Sequence, residues 1–268
     1  MRALPLLLAL LSPLAVAAEL LVELADGPRR YSSAELLAHP ASRTLEIPAD
    51  VSYKRPMRYR ALPLAELLPG VKPGDHLQAL ADDGFAAELP AAALLDAPGS
   101  RAWLAVEDPA APWPPLGKAG RSAGPFYLVW ENPEAEQIGP EQWPFRMVRL
   151  RVLAPVAERF PALRPDPGLA AGDPVNLGFA QFQKHCLACH RLNRQGDAAF
   201  GPDLNVPYNP TEYLRSDLLR RYIRDPQALR HWPQARMPGF SESALSEAQL
   251  DHLLAYLRHM AGRKVLAD

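Results

Sequence analysis

Both cysteines of the chain stand with a histidine in FQKHCLACHRLN, residues 182–193, where two residues separate Cys186 from Cys189 and His190 follows directly. A disulfide here would close a very small loop, restrain little of the unfolded chain and leave His190 without a role. A structural zinc site needs four ligands and normally a second clustered pair, for which no cysteines remain. Covalent haem uses all three residues, because the thiols add to the vinyl groups as thioethers and the histidine becomes an axial iron ligand. The motif therefore predicts one covalently bound haem c.

A methionine in a proline-containing loop is the candidate for the second axial ligand. RMPGF, residues 236–240, offers Met237, whose soft thioether sulfur suits iron and raises the reduction potential relative to a second histidine. If Met237 does not bind iron, the open position would allow peroxide or small-molecule chemistry, which is the alternative function. The competing histidine ligands are His185, His231, His252 and His259.

The first 18 residues resemble an export signal. Arg2 precedes a largely apolar run that ends in Ala15-Val16-Ala17-Ala18, small residues suited to cleavage after Ala17 or Ala18. Removing the segment deletes one positive charge and leaves a net charge of −2, which argues against a non-specific nucleic-acid binder. We therefore expect a periplasmic protein with no membrane span after cleavage.

The remaining residues are expected to form two domains joined by a proline-rich segment. Residues 156–174 are rich in Pro, Ala and Gly and are predicted to be a linker between a domain at 19–155 and a domain at 175–268. Short strand-like and helix-like runs alternate in the first domain, which predicts a mixed α/β fold. The second domain is predicted to be all-α, with Asn176, Thr211 and Ser246 as helix N-caps, so the predicted fold class of the chain is α+β. The predicted strands cover residues 20–24, 44–47, 76–81, 102–106, 126–130 and 147–153.

Residues 175–262 resemble the class I cytochrome c family through several motifs. Gly178 and Phe182 precede Cys186 with the spacing of that family's first helix, and FGPDL, MPGF and LDHLLAYLRHM follow in order. The resemblance implies that the carbonyl of Pro202 accepts a hydrogen bond from the axial histidine, and that Tyr256 and Leu257 pack at the haem and the helix crossing. Candidates for bonding the haem propionates are Tyr208, Trp232, Arg230 and Arg236.

Residues 28–153 resemble the molybdopterin-binding domain of the sulfite-oxidase-like family. The likeness rests on LADDGFAAELPAAALLDA and on RAWLAVEDPAAPWPPLGKAGRSAGPFYLVWENP. That family binds molybdenum through a cysteine thiolate, whereas residues 19–185 contain no cysteine. We therefore expect no molybdenum cofactor and a domain that acts as a docking or ligand-binding scaffold, with residues 51–60 and 113–124 as exposed loops.

Together these features predict an electron carrier or electron-transfer subunit rather than an enzyme. Its partners would be a periplasmic electron donor and acceptor, reached by an exposed haem edge and steered by basic side chains. A further alternative is a haem-linked sensor in which the first domain captures a ligand. The arginines that would steer a partner are Arg191, Arg194, Arg215, Arg220, Arg221, Arg224, Arg230 and Arg236.

Overall fold

The computed structural model describes residues 18–95, 99–117 and 120–265. The predicted signal therefore lies outside the described residues except for Ala18. Among the described helices, none is both long and apolar enough to cross a bilayer.

Strands fill the first part of the chain and form two sheets. The five-stranded sheet has the order β2-β1-β9-β5-β6, and the four-stranded sheet has the order β3-β4-β7-β8. Neighbouring strands are antiparallel except for β1 and β9, which run parallel. The strands are β1 (Glu19–Leu24), β2 (Gly27–Ser32), β3 (Arg43–Ile47), β4 (Met57–Pro63), β5 (His76–Ala81), β6 (Ala86–Pro90), β7 (Arg101–Val106), β8 (Phe126–Glu131) and β9 (Met147–Leu153).

The predicted fold class is wrong in its architecture for the first region, where the mixed α/β content is organised as two β-sheets. Two sheets dominate there, and the helices between them are short: α1 (Ser33–Ala38) and α2 (Ala91–Leu94). The sequence reading missed β2, β4 and β6. β2 is a polar strand at the sheet edge, whereas β4 alternates exposed arginines with buried Tyr59 and Ala61, a strand signal that the sequence already carried. The chain as a whole is still consistent with α+β, since helices dominate the last part.

The last part of the chain is built on the crossing of two helices, α4 and α8. Gly178 on α4 permits this crossing, because a Cβ atom there would lie 1.9 Å from the carbonyl oxygen of His252 on α8. The rings of Phe179 and Phe182 pack against Tyr256 across the same contact. The helices are α3 (Val156–Arg159), α4 (Pro174–His185), α5 (Pro210–Tyr213), α6 (Ser216–Arg224), α7 (Pro226–Leu229) and α8 (Glu247–Ala261).

Helix starts differ in part from the predicted caps. Asp173, not Asn176, caps α4, because its side chain accepts the N–H of Val175 at 2.8 Å and Pro174 occupies the first turn. Asn209, not Thr211, caps the short helix α5. The capping box of Ser246 and Gln249 at the start of α8 is present.

Buried side chains form two separate clusters, one from residues 20–150 and one from residues 156–260. We call residues 18–153 the N-terminal unit and residues 156–265 the C-terminal unit. Val156 and Leu163, within the predicted linker, are buried in the second cluster. The hydroxyl of Tyr256 also donates to the carbonyl oxygen of Leu163 at 2.8 Å. The proline-rich segment is thus packed against the helices of the C-terminal unit.

Candidate haem site

The cysteine pair lies in a tight turn at the end of α4. Cys186 caps the helix with its N–H bonded to the carbonyl of Phe182 at 2.9 Å. Its own carbonyl accepts the N–H groups of Cys189 at 3.1 Å and His190 at 2.9 Å. Both thiols are free, so the disulfide considered from the sequence does not form in this structure. The turn presents two thiols and an imidazole from one short segment.

The imidazole of His190 is held through one ring nitrogen. Nδ1 lies 2.8 Å from the carbonyl oxygen of Pro202, and since a carbonyl only accepts, Nδ1 must carry the proton. Burial lowers the pKa of His190, although the Pro202 bond and the charge of Asp203 oppose that effect. The ring is thus kept neutral with Nε2 free to bind a metal, as an axial ligand requires.

A glycine lets the following loop close over this ring. A Cβ atom on Gly201 would lie 2.2 Å from Cε1 of His190, which is closer than any real contact. The N–H of Gly201 donates to the carbonyl of Cys189 at 2.9 Å. The loop is therefore tied to the cysteine turn on one side and to the histidine on the other.

Asp203 fixes the next part of this loop. Its carboxylate accepts the backbone N–H of Asn205 at 2.8 Å, of Val206 at 2.9 Å and of Arg194 at 2.6 Å. Several short backbone bonds to one carboxylate restrict the segment that carries the Pro202 carbonyl. The acceptor for His190 is thus positioned by the loop as well as by proline.

Three buried asparagines join the loop to α8. Nδ2 of Asn205 donates to Oδ1 of Asn193 at 2.8 Å and to the carbonyl of Met260 at 2.7 Å. Nδ2 of Asn209 donates to Oδ1 of Asn205 and to the carbonyl of Leu257, both at 2.9 Å. The sequence reading missed this ladder, because asparagine is common in turns and its spacing alone gives no sign of burial.

The surroundings of the two thiols do not activate them as nucleophiles. Burial raises the pKa of Cys186, and the charge of Glu141 adds to the effect. The pKa of Cys189 is raised to about 11 by burial and by the charges of Glu141 and Asp83. No group of three or more His, Cys, Asp or Glu side chains placed to hold a metal ion occurs within the described ranges. A nucleophilic cysteine needs a lowered thiol pKa, whereas burial raises the pKa of both thiols here.

The Met237 loop is held against α6 by an arginine. Arg224 donates to the carbonyl oxygens of Phe240, at 2.9 Å, and Leu245. Gly239 sits so close to α6 that a Cβ atom there would lie 2.4 Å from the carbonyl oxygen of Arg224. Met237 itself is partly buried and packs against the second cluster. This arrangement fixes the loop that carries the thioether.

Tyr256 and Leu257 are both buried in the core of the C-terminal unit. Burial raises the pKa of Tyr256, and the nearby Cys186 contributes, so this tyrosine lies within electrostatic reach of the cysteine turn. Leu257 contributes its carbonyl to the asparagine ladder. The iron-ligand roles of His190 and Met237 and the haem-packing roles of these two residues stay predictions.

The other candidate iron ligands and the candidate propionate partners differ in their exposure and in their contacts. His185 is buried against Glu141, and Nε2 of His259 accepts the N–H of Asp166 at 3.1 Å. Tyr208 is 69% exposed and Trp232 is 53% exposed, so both are accessible on the surface. Arg230 stacks on Trp232, with 4.7 Å between the guanidinium carbon and the ring centroid, and Arg236 and His231 are exposed.

Some of the arginines expected to steer a partner form ion pairs within the C-terminal unit. Arg220 binds Glu247, at 2.6 Å, and Asp251 on α8. Arg224 also pairs with Glu247, at 2.7 Å. These two side chains therefore pack α6 against α8 instead of forming a free basic surface.

The N-terminal unit contacts the helix that ends at the cysteine turn. Glu141, in a 3-10 helix at Pro140–Gln142, bonds to Nδ1 of His185, the residue before Cys186. Lys184 donates to the carbonyl of Gln137 at 2.7 Å, and Gln249 donates to the side chain of Gln137 at 2.7 Å. Sequence reasoning missed these contacts, because the partners are far apart along the chain and neither stretch has a recognisable motif.

A second set of contacts reaches the loop after the cysteine turn. Asp197 accepts from Gln78 at 2.6 Å and from Arg159 at 2.8 Å, and Arg159 also bonds to the buried Glu88 at 2.7 Å. The rings of Phe85 and Phe200 lie 6.3 Å apart across the same boundary. The N-terminal unit thus contacts both sides of the cysteine motif.

The two stretches expected to be exposed loops differ in the structure. Residues 51–60 run into β4, where Tyr59 is buried and donates to Asp50 at 2.7 Å. Part of this stretch is therefore a strand of the sheet and not an exposed loop. Trp113 and Arg121 line an open groove of about 430 Å³ together with Glu107.

The donor set of the C-terminal unit fits a covalently bound haem. It offers two free thiols, an imidazole with Nε2 available, and a thioether in a loop fixed by Arg224. A comparison with curated proteins found no match to the chain. A family model described as Cytochrome c matches residues 175–261, less than half of the chain, and supports a haem-binding electron-transfer domain there.

Proposed function

We propose that the chain is an exported monohaem c-type cytochrome that passes single electrons between periplasmic redox partners. Cys186 and Cys189 would hold the haem through thioether bonds, with His190 and Met237 as axial ligands. The bound haem would supply one-electron Fe(III)/Fe(II) chemistry. The observation that carries the proposal is the Nδ1 contact of His190 with Pro202, which leaves Nε2 as the only ring nitrogen able to bind iron.

The residues of the C-terminal unit support transfer with little rearrangement. The carbonyl of Pro202 keeps the imidazole in one tautomer and orientation. Arg224 restrains the loop of the sulfur ligand, and the asparagine ladder ties the histidine loop to α8. A site whose ligands are fixed in place changes little in geometry between oxidation states, which favours fast outer-sphere exchange.

The N-terminal unit is proposed to be a docking or ligand-binding scaffold. Its contacts with Lys184, His185 and Asp197 support this role, because they fix its position beside the cysteine turn. The groove at Trp113 is the surface at which a partner or small ligand would be tested first. Export is supported by the residue pattern at the start of the chain.

The axial pair is tested by the optical spectrum of the purified haem-loaded protein. We expect a low-spin spectrum with a methionine-to-iron charge-transfer band, and loss of that band in Met237→Ala with the haem still attached. Met260→Ala, at a buried methionine of α8, is the matched control and should keep the band. A wild-type spectrum without the band, or a band that persists in Met237→Ala, would contradict Met237 as a ligand.

The docking role is tested by electron exchange with a periplasmic donor. Trp113→Ala and Arg121→Ala should slow exchange if the groove receives the partner. Trp232→Ala tests an exposed site of the C-terminal unit instead. Unchanged rates in both groove variants would rule out the groove as the docking surface.

A further inference from the structure

Glu141 and His185 form a buried pair beside the cysteine turn, with one residue from each unit. The side chain of His185 is 1% exposed and that of Glu141 is 4% exposed. Oε1 of Glu141 bonds to Nδ1 of His185, which directly precedes Cys186. Gly139 makes room for this contact, because a Cβ atom there would lie 2.3 Å from Oε1. The N-terminal unit thus places a carboxylate next to the predicted haem attachment.

The remaining polar atoms of the pair indicate its charge. Oε2 of Glu141 and Nε2 of His185 are both buried and, among the described residues, have no hydrogen-bond partner. A protonated Nε2 would leave a cationic N–H without an acceptor, which is far more costly in a buried site than a bare lone pair. The geometry therefore fits a neutral imidazole that donates from Nδ1 to an ionised carboxylate, so the pair carries one net negative charge.

The surroundings do not fully neutralise this charge. Lys184 is within its electrostatic reach, but the ammonium group bonds to the carbonyl of Gln137 and faces Glu136 as well. On the other side, the ring of Phe240 packs against His185 with 5.4 Å between centroids. Burial raises the pKa of Cys186, and the charge of Glu141 raises it further, so the carboxylate acts at the cysteine turn.

We propose that the buried carboxylate of Glu141, held in place by its contact with His185, lowers the reduction potential of the haem. This inference rests on the proposed function. Ferric haem carries one more positive charge than ferrous haem, so a buried negative charge nearby stabilises the ferric state. Glu141 acts through its charge, so the N-terminal unit takes part in setting the potential of the haem in the C-terminal unit.

The test is a spectroelectrochemical titration of the haem-loaded full chain. Glu141→Gln, which removes the charge and keeps the size, should raise the midpoint potential. His185→Gln can still donate to the carboxylate and should leave the potential near the wild-type value. Glu134→Gln, on the exposed surface of the preceding 3-10 helix, is the matched control and should also leave it unchanged.

A separate variant keeps the proposal testable if Glu141→Gln fails to fold. Lys184→Gln removes a positive charge from the same place and should lower the potential. Equal potentials in wild type, Glu141→Gln and Lys184→Gln would overturn the inference. A shift in His185→Gln as large as that in Glu141→Gln would also overturn it, because packing and not charge would then be responsible.

The haem content separates this inference from the proposed function. Attached haem with an unchanged potential in Glu141→Gln overturns only the role of Glu141. A wild-type protein that retains no haem after denaturation overturns the proposed function itself.

Discussion

The N-terminal and C-terminal units are stabilised in different ways. The N-terminal unit buries a large apolar cluster between two sheets, which includes Trp103, Trp130 and Tyr127. The C-terminal unit has a smaller cluster and relies on side chains such as Asn205 and Arg224 that bond to backbone carbonyls. The first unit is thus expected to fold on its own core, whereas the second depends on polar ties and on its cofactor.

Loss of the haem should have the largest effect and should separate the two units. In Cys186→Ala/Cys189→Ala we expect the helices of the C-terminal unit to lose most of their protection from hydrogen exchange, because the small core then lacks its covalent cofactor. The strands of the N-terminal unit should keep their protection, since that unit has its own apolar cluster. Full protection of α4 and α8 in this variant would contradict the difference between the units.

Breaking the asparagine ladder should have the next largest effect. Asn205→Ala removes the donor to the carbonyl of Met260 and to Oδ1 of Asn193, and it removes the acceptor of one Nδ2 bond from Asn209. We expect the free energy of unfolding of the C-terminal unit to fall by about 3 kcal/mol, measured by chemical denaturation followed through the haem absorbance.

The matched control for the ladder is Asn176→Ala. The side chain of Asn176 donates to the backbone carbonyls of Leu169 and Ala170 near the protein surface. Its removal should cost much less than the removal of Asn205. An equal loss in the free energy of unfolding for Asn205→Ala and Asn176→Ala would contradict a larger contribution of the ladder to stability.

Removing Arg224 should affect the methionine loop more than the rest of the molecule. Arg224→Ala leaves the carbonyls of Phe240 and Leu245 without their donor, and we expect a loss of about 2 kcal/mol in the free energy of unfolding. The methionine-to-iron band should weaken or disappear at a lower temperature than in the wild type. Arg221→Ala, on the exposed side of α6, is the control, and an identical melting of the band in both variants would argue against this role.

Acidification should weaken the contact between the units, and its effect on stability should be the smallest of those predicted here. Burial alone would raise the pKa of Glu88, but the hydrogen bonds and charges of His76 and Arg159 outweigh it and lower the pKa. A carboxylate with a lowered pKa in the folded state stabilises the protein above the ordinary glutamate range, and this contribution is lost as the pH falls through the lowered value. Stability should therefore fall more steeply with acid in the wild type than in Glu88→Gln. Parallel pH profiles would contradict this role for Glu88.

The sequence predicted the C-terminal unit better than the N-terminal unit. A short motif predicts the chemistry of Cys186, Cys189 and His190, and the Ser246 capping box marks the start of α8 correctly. The strands β2 and β6 were missed although each pairs with the strand just before it, because β2 is polar and β6 is buried along almost its whole length, so neither shows a clear apolar–polar alternation.

Contacts between distant residues account for the rest of what sequence reasoning missed. Glu141 meets His185 only because the 3-10 helix at Pro140–Gln142 packs against the end of α4. Arg224, expected to help steer a partner, instead bonds to carbonyls of the methionine loop. A single sequence gives propensity and local pattern, but neither property identifies which polar side chains meet across a fold.

The most direct test of the account is the intact mass of the exported protein after full denaturation. We predict the mass of the cleaved chain plus one haem, retained in denaturant, for the wild type and for Met237→Ala, and the mass of the chain alone for Cys186→Ala/Cys189→Ala. A haem that denaturant releases from the wild type, or a wild-type mass without haem, would contradict covalent attachment at Cys186 and Cys189.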